Sequence, residues 1–232
     1  MKRFPVSVMP AAIAITMLLA AVSLAAPVNV PNFSFEDDVL ADGTAVSPVA
    51  SWFTLNGGAY DPLDAQYAGT TGDNVQGVLS NGGQFAYSAP PTAAPASGNL
   101  SSNATFAVSD QTTYTLTVAV GQPLSTSTFS GRIELLNAVT GVPVATSGVF
   151  TNADIPAGSF VDYSTTPFTT IVGDPLSLVG LKIRLNFDVG GNGINWDNVR
   201  LDATPIPEPS SLILLGTSSL AMLLIRRRRR DG

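Results

Sequence analysis

Tyr114-Thr115-Leu116-Thr117-Val118-Ala119-Val120 alternates apolar and smaller or polar side chains, setting Tyr114, Leu116, Val118 and Val120 on one face of an extended strand. A period of two is the mark of a half-buried strand, because successive side chains point to opposite faces of a sheet. The alternation returns in Leu181-Lys182-Ile183-Arg184-Leu185-Asn186-Phe187 and in Arg132-Ile133-Glu134-Leu135. Shorter strands are predicted near 28–35, 49–55, 75–80, 83–87, 99–108, 143–150, 160–170 and 195–202. Asp42-Gly43, Asn56-Gly57-Gly58, Asn81-Gly82-Gly83 and Gly190-Gly191-Asn192-Gly193 punctuate them, the last read as a hairpin turn. Between the termini no window of about 11 or more residues carries a helical stripe. Many short strands without helices predict an all-β fold, an antiparallel β-sandwich of the jelly-roll kind. No internal repeat points to a propeller or solenoid.

The two ends read differently from this middle. Lys2 and Arg3 precede an apolar run near 11–21 and the small residues Ala25-Ala26, the order of a secretory signal; cleavage is expected after Ala25. At the other end Pro205-Ile206-Pro207-Glu208-Pro209 interrupts regular structure, since proline lacks an N–H and restricts its predecessor. A second apolar run, 212–225, follows and ends in Arg226, Arg227, Arg228, Arg229 and Arg230. Fourteen residues make a helix of about 21 Å, shorter than a hydrocarbon core of about 30 Å, so arginine snorkelling has to help it span. The positive-inside rule keeps the arginines in the cytoplasm and puts the domain outside. The expected organisation is thus a signal peptide over 1–25, a β-sandwich over 26–204 and a tail over 205–232. A signal helix and a hydrophobic helix flank the sandwich.

Charge narrows the partners. Between these ends lie four bases (Arg132, Lys182, Arg184, Arg200) and fifteen acids, a net charge of −11. Such a surface repels nucleic acid, and its carboxylates suit calcium. The chain has neither Cys nor His, which excludes thiol chemistry, His or Cys zinc ligands and every Ser-His arrangement. Folding must rest on the hydrophobic core.

Pro207-Glu208-Pro209, the hydrophobic segment and the arginine cluster, in that order, resemble the PEP-CTERM sorting signal of Gram-negative bacteria. The resemblance implies processing near Pro207, Glu208 and Pro209 by an exosortase, a membrane peptidase-transferase. It implies a protein that meets the secretion machinery and is held briefly in the inner membrane. Its destination is then the cell surface or extracellular matrix, among exopolysaccharide or other matrix proteins.

Val-Asn-Val-Pro-Asn-Phe-Ser-Phe-Glu-Asp at 28–37 and Trp-Asp-Asn-Val-Arg-Leu at 196–201 resemble the opening and closing strands of galactose-binding-like and carbohydrate-binding-module jelly rolls. In several of those modules a structural calcium ties the first strand to the last, and matched residue by residue its carboxylates here are Glu36 and Asp197. Calcium takes six to eight oxygens, so backbone carbonyls must complete the set.

Catalysis finds little support at this level. Glu36 and Glu134 are the only glutamates between the ends, and no local motif singles out an acid pair. The expectation is a protein that is not an enzyme, a non-catalytic surface or matrix component. Its alternative is a carbohydrate-binding module docking on exopolysaccharide. Sugar recognition uses exposed rings. Tyr60 and Tyr67, in a Gly- and Asp-rich stretch, are the candidate contacts, whereas Trp52 and Trp196 read as core.

Overall fold

The computed structural model describes residues 24–62, 83–89, 98–122, 124, 128–190 and 193–206. In chain order the strands are β1 (Ala26–Val28), β2 (Ala45–Val46), β3 (Trp52–Leu55), β4 (Gly57–Tyr60), β5 (Phe85–Ser88), β6 (Gly98–Ser102) and β7 (Thr112–Gln122). They continue as β8 (Phe129–Asn137), β9 (Pro143–Thr146), β10 (Phe150–Thr151), β11 (Ser159–Ser164), β12 (Phe168–Thr169), β13 (Leu181–Gly190) and β14 (Ile194–Pro205). One helical turn, α1 (Leu176–Val179), precedes β13.

Two antiparallel sheets form. The larger has eight strands in the order β11-β7-β14-β5-β4-β2, with β1 on β14 and β12 on β7. The smaller has six in the order β10-β8-β13-β6-β3, with β9 on β8. This is the expected sandwich, and the long alternating strands sit at its centre. Tyr114, Leu116, Val118 and Val120 face inward from β7, meeting Ile133 and Leu135 of β8 and Ile183, Leu185 and Phe187 of β13 in one core. Burying each such side chain contributes about 1.5–3 kcal/mol. Both tryptophans are core, as expected, and each buried indole N–H is satisfied. Trp196 donates to Ser88 Oγ at 2.9 Å and Trp52 to the Asn32 carbonyl at 3.2 Å.

Two connections differ from expectation because the chain changes layer, and one predicted strand is cut short. β13 and β14 lie in different sheets and do not pair with each other, so they are not the two arms of a hairpin. The same holds at Asn56 (φ 54°), between β3 in the small sheet and β4 in the large one. The segment expected as a strand at 28–35 leaves the sheet after Val28. Asn32 and Phe35 take positive φ, and Asn32 Oδ1 accepts the Asp37 N–H at 3.1 Å. The loop is tied to the last strand by Val199 N–H on the Phe33 carbonyl at 2.9 Å. The strand expected at 75–80, both terminal helices, Tyr67 and the sorting-signal residues fall outside the described residues. Among the described residues no helix is long and apolar enough to cross a membrane.

Candidate active site on the outer face of the large sheet

The outward side chains of β7 shrink along the strand: Thr113, Thr115 and Thr117, then Ala119 and Gly121. The first three are half-buried and the last two fully buried, although they face away from the core. Something covers them. On the neighbouring strand β14 the register pairs Asn195 with Gly121 and Asp197 with Ala119. Trp196 points into the core, so Asn195 and Asp197 share the outer face with Ala119 and Gly121. Both are buried, Asp197 completely (0% exposed).

The cover is aromatic. On one side Phe160 of β11 pairs with Gly121, and Asp162 with Ala119. On the other side Phe85 and Tyr87 of β5 stand opposite Tyr60 and Gly58 of β4. β11 and β5 are separated by β7 and β14, three steps of about 4.8 Å, or roughly 14 Å. Yet the rings of Phe160 and Phe85 lie only 6.2 Å apart, edge to face. They reach over β7 and β14 and meet, forming a small second apolar cluster with Ala119, flanked by Tyr60 and Tyr87. Gly121 makes this possible: a Cβ there would lie 2.5 Å from Phe160 Cε1 and 2.6 Å from its Cζ. Tyr60 braces the group, 5.6 Å from Phe85 and 6.4 Å from Tyr87, both edge to face.

The result is a carboxylate on a floor of small residues beneath a roof of rings. Asp197 Oδ1 accepts the Asn198 N–H at 2.6 Å, and Asn198 stands at φ 46° where the ladder slips between Asp197 and Arg200. That bulge turns the strand and sends Arg200 to the rim, where it pairs with Asp162.

The residues singled out from the sequence are only partly brought together. Tyr60 is in this aromatic group, half-buried and packed against Phe85 and Tyr87. Asp197 is its floor. Glu36 is half-buried next to β5, where its Oε1 accepts the Gln84 N–H at 2.7 Å and its Oε2 the Gln84 Nε2–H at 3.0 Å. Among the described residues Gln84 Oε1 is buried without a hydrogen-bond partner, an oxygen of the kind calcium takes. Among the described residues no three acidic, His or Cys side chains converge to hold a metal. Phe160 was missed in the sequence, although Phe160 and Asp162 alternate on one face of β11 as a strand reading allows.

Comparison with known proteins adds the family. Residues 26–202 match the HpiC1-like model, described as HpiC1 cyclase, and residues 205–230 match the PEP-CTERM protein-sorting motif. No curated protein matches the chain. A Stig cyclase from Fischerella sp. TAU, solved with (3Z)-3-(1-methyl-2-pyrrolidinylidene)-3H-indole, is similar at a TM-score of 0.59. It is 21% identical over 78% of this chain and 99% of that one. A Fischerella sp. TAU cyclase solved with 4-(1H-indol-3-yl)butan-2-one gives a TM-score of 0.58 at 23% identity, over 78% and 98%. An arabinose-bound α-L-arabinofuranosidase gives 0.51 at 14% identity, over 75% of this chain and 26% of that one. At these identities the structures establish the shared sandwich. The tail makes the protein an exported, sorted substrate of exosortase. The expectation that the domain is not an enzyme is overturned, because the match over 26–202 is to a family of cyclases. Over the whole of its β-sandwich the chain belongs to the HpiC1-like cyclase family.

Proposed function

We propose that the roofed outer face of the large sheet is the active site of an exported cyclase, with Asp197 as its proton donor and acceptor. One observation carries this reading: a fully buried carboxylate on the outer face of a sheet, beneath the meeting rings of Phe85 and Phe160. The substrate class that fits is apolar and aromatic, and the indole compounds bound by the Fischerella cyclases are of that kind.

The chemistry needs only this chain's groups. The Asp197 carboxyl donates a proton to a π bond of the substrate, and the resulting cation lies against the faces of Phe85, Phe160, Tyr60 and Tyr87. A carbon nucleophile in the same molecule closes the ring. Loss of a proton from the closing carbon to the Asp197 carboxylate restores the start, so the product is an isomer. Incubation with indoles bearing an alkene side chain should give cyclised products of unchanged mass. Asp197→Asn should lower the rate by about 10²–10⁴ at unchanged fold. Turnover unaffected by that substitution would refute the assignment.

The remaining address is part of the same proposal. The signal is removed after Ala25, the segment 212–225 holds the precursor in the membrane, and exosortase acts near Pro207, Glu208 and Pro209. The mature domain is then released to the surface or matrix. A structural calcium is also proposed at Glu36, where Gln84 Oε1 supplies a further oxygen; it would fasten the loop after β1 to β5. Asp197, its other expected ligand, cannot serve both roles, because a ligated carboxylate stays ionised.

A further inference from the structure

The outer face of the small sheet carries a second surface with a different chemistry. Of the four bases in an exported domain of net charge −11, three (Arg132, Lys182 and Arg184) lie on this one face. The registers line its side chains into rows that run straight across the strands. Phe53 stands opposite Ser101, Ser101 opposite Arg184, Arg184 opposite Glu134, and Glu134 opposite Thr146. Those four steps of about 4.8 Å make a row of roughly 19 Å.

The row is fixed in place. Arg132 forks onto Asp188 through Nε at 3.1 Å and Nη2 at 2.7 Å, and Asn186 Nδ2 donates to the same carboxylate at 2.7 Å. Arg184 pairs with Glu134 through Nε alone, and the Glu134 side chain is only 4% exposed. Cross-strand pairing would satisfy a merely structural face, but it accounts for neither the remaining cationic donors nor the exposed ring at the edge. The other N–H groups of Arg184 and the Lys182 ammonium have no acceptor among the described residues. At the edge, Phe53 and Leu55 stand 60% and 44% exposed on the same face. Free cationic donors beside a fixed polar row, ending in an exposed ring, are what a carboxylated sugar chain requires. The donors take uronate carboxylates, the row takes hydroxyls, and the ring takes a pyranose face.

We propose that this face binds an acidic, uronate-bearing polysaccharide, independently of the site on the large sheet. With Glu134 and Asp188 counted, the strands of the small sheet carry a net charge of +1 against −12 over the rest of the domain, so charge favours this face.

Calorimetric titration of the purified chain with oligogalacturonate tests it, with chelator present so that calcium bridging plays no part. The same oligomer methyl-esterified serves as the uncharged control. Saturable binding to the acid form is expected, weakened by added salt and at least tenfold weaker for the ester. Lys182→Gln and Phe53→Ala, both outside the core, should each weaken binding roughly tenfold at unchanged melting temperature. Absence of binding to the acid form, equal binding to the ester, or binding unaffected by both substitutions would each overturn the proposal.

Discussion

Gly121 is the residue on which the candidate site turns. Phe160 can lie over the strand only because position 121 has no Cβ. Gly121→Ala should therefore drive the ring off Phe85 and destabilise the domain by about 1–3 kcal/mol, as overpacking does. Removing the ring should relieve the clash, so Gly121→Ala placed in a Phe160→Ala background should cost much less. Denaturant unfolding of the two single variants and the double variant measures this coupling, and strict additivity would contradict the contact. At this scale the sequence was half legible. Tyr60 and Asp197 could be singled out by residue type and motif. Phe160 could not, because it meets Phe85 only through a four-strand register that no local pattern encodes. Asp197 was found with a different role in view, since its burial under rings is a tertiary property.

At the scale of elements, the long strands β7, β8 and β13 were readable because most of their length buries one face and so alternates in sequence. Short strands and connections were not. Gly and Asn mark where the chain turns sharply, but the same residues serve a hairpin and a passage between sheets. The loop after β1 is the element that a calcium would fasten. Excess calcium over chelator, at about a hundredfold over Kd, should add roughly 2.7 kcal/mol and raise the melting temperature by about 5–10 °C. Glu36→Gln should abolish that gain. Asp197→Asn should keep it if Asp197 is the proton donor; loss of the gain there as well would make Asp197 a ligand and withdraw its catalytic role. Superimposable curves for the unaltered chain would remove the calcium.

For the whole molecule, the address was legible because sorting signals are linear and short. The PEP-CTERM match over 205–230 agrees with the reading of the tail. Replacing Pro207, Glu208 and Pro209 with alanine should leave uncut precursor in membranes, and mass spectrometry of released protein should find no arginine block. An intact C-terminus in released material would contradict processing. Function was the part the sequence hid, since the proposed catalytic site rests on no motif. It rests on which outward residues two sheets leave covered, and that exists only once the strands are paired. The most direct test of the central claim is therefore where a flat apolar ligand goes. Backbone amide NMR of the purified chain titrated with indole should show saturable shifts at Ala119, Gly121, Asn195 and Asp197, and these should be lost or strongly weakened in Phe160→Ala. Shifts confined to Ser101, Arg184 and Asn186 on the opposite sheet, or no saturable shifts, would contradict it.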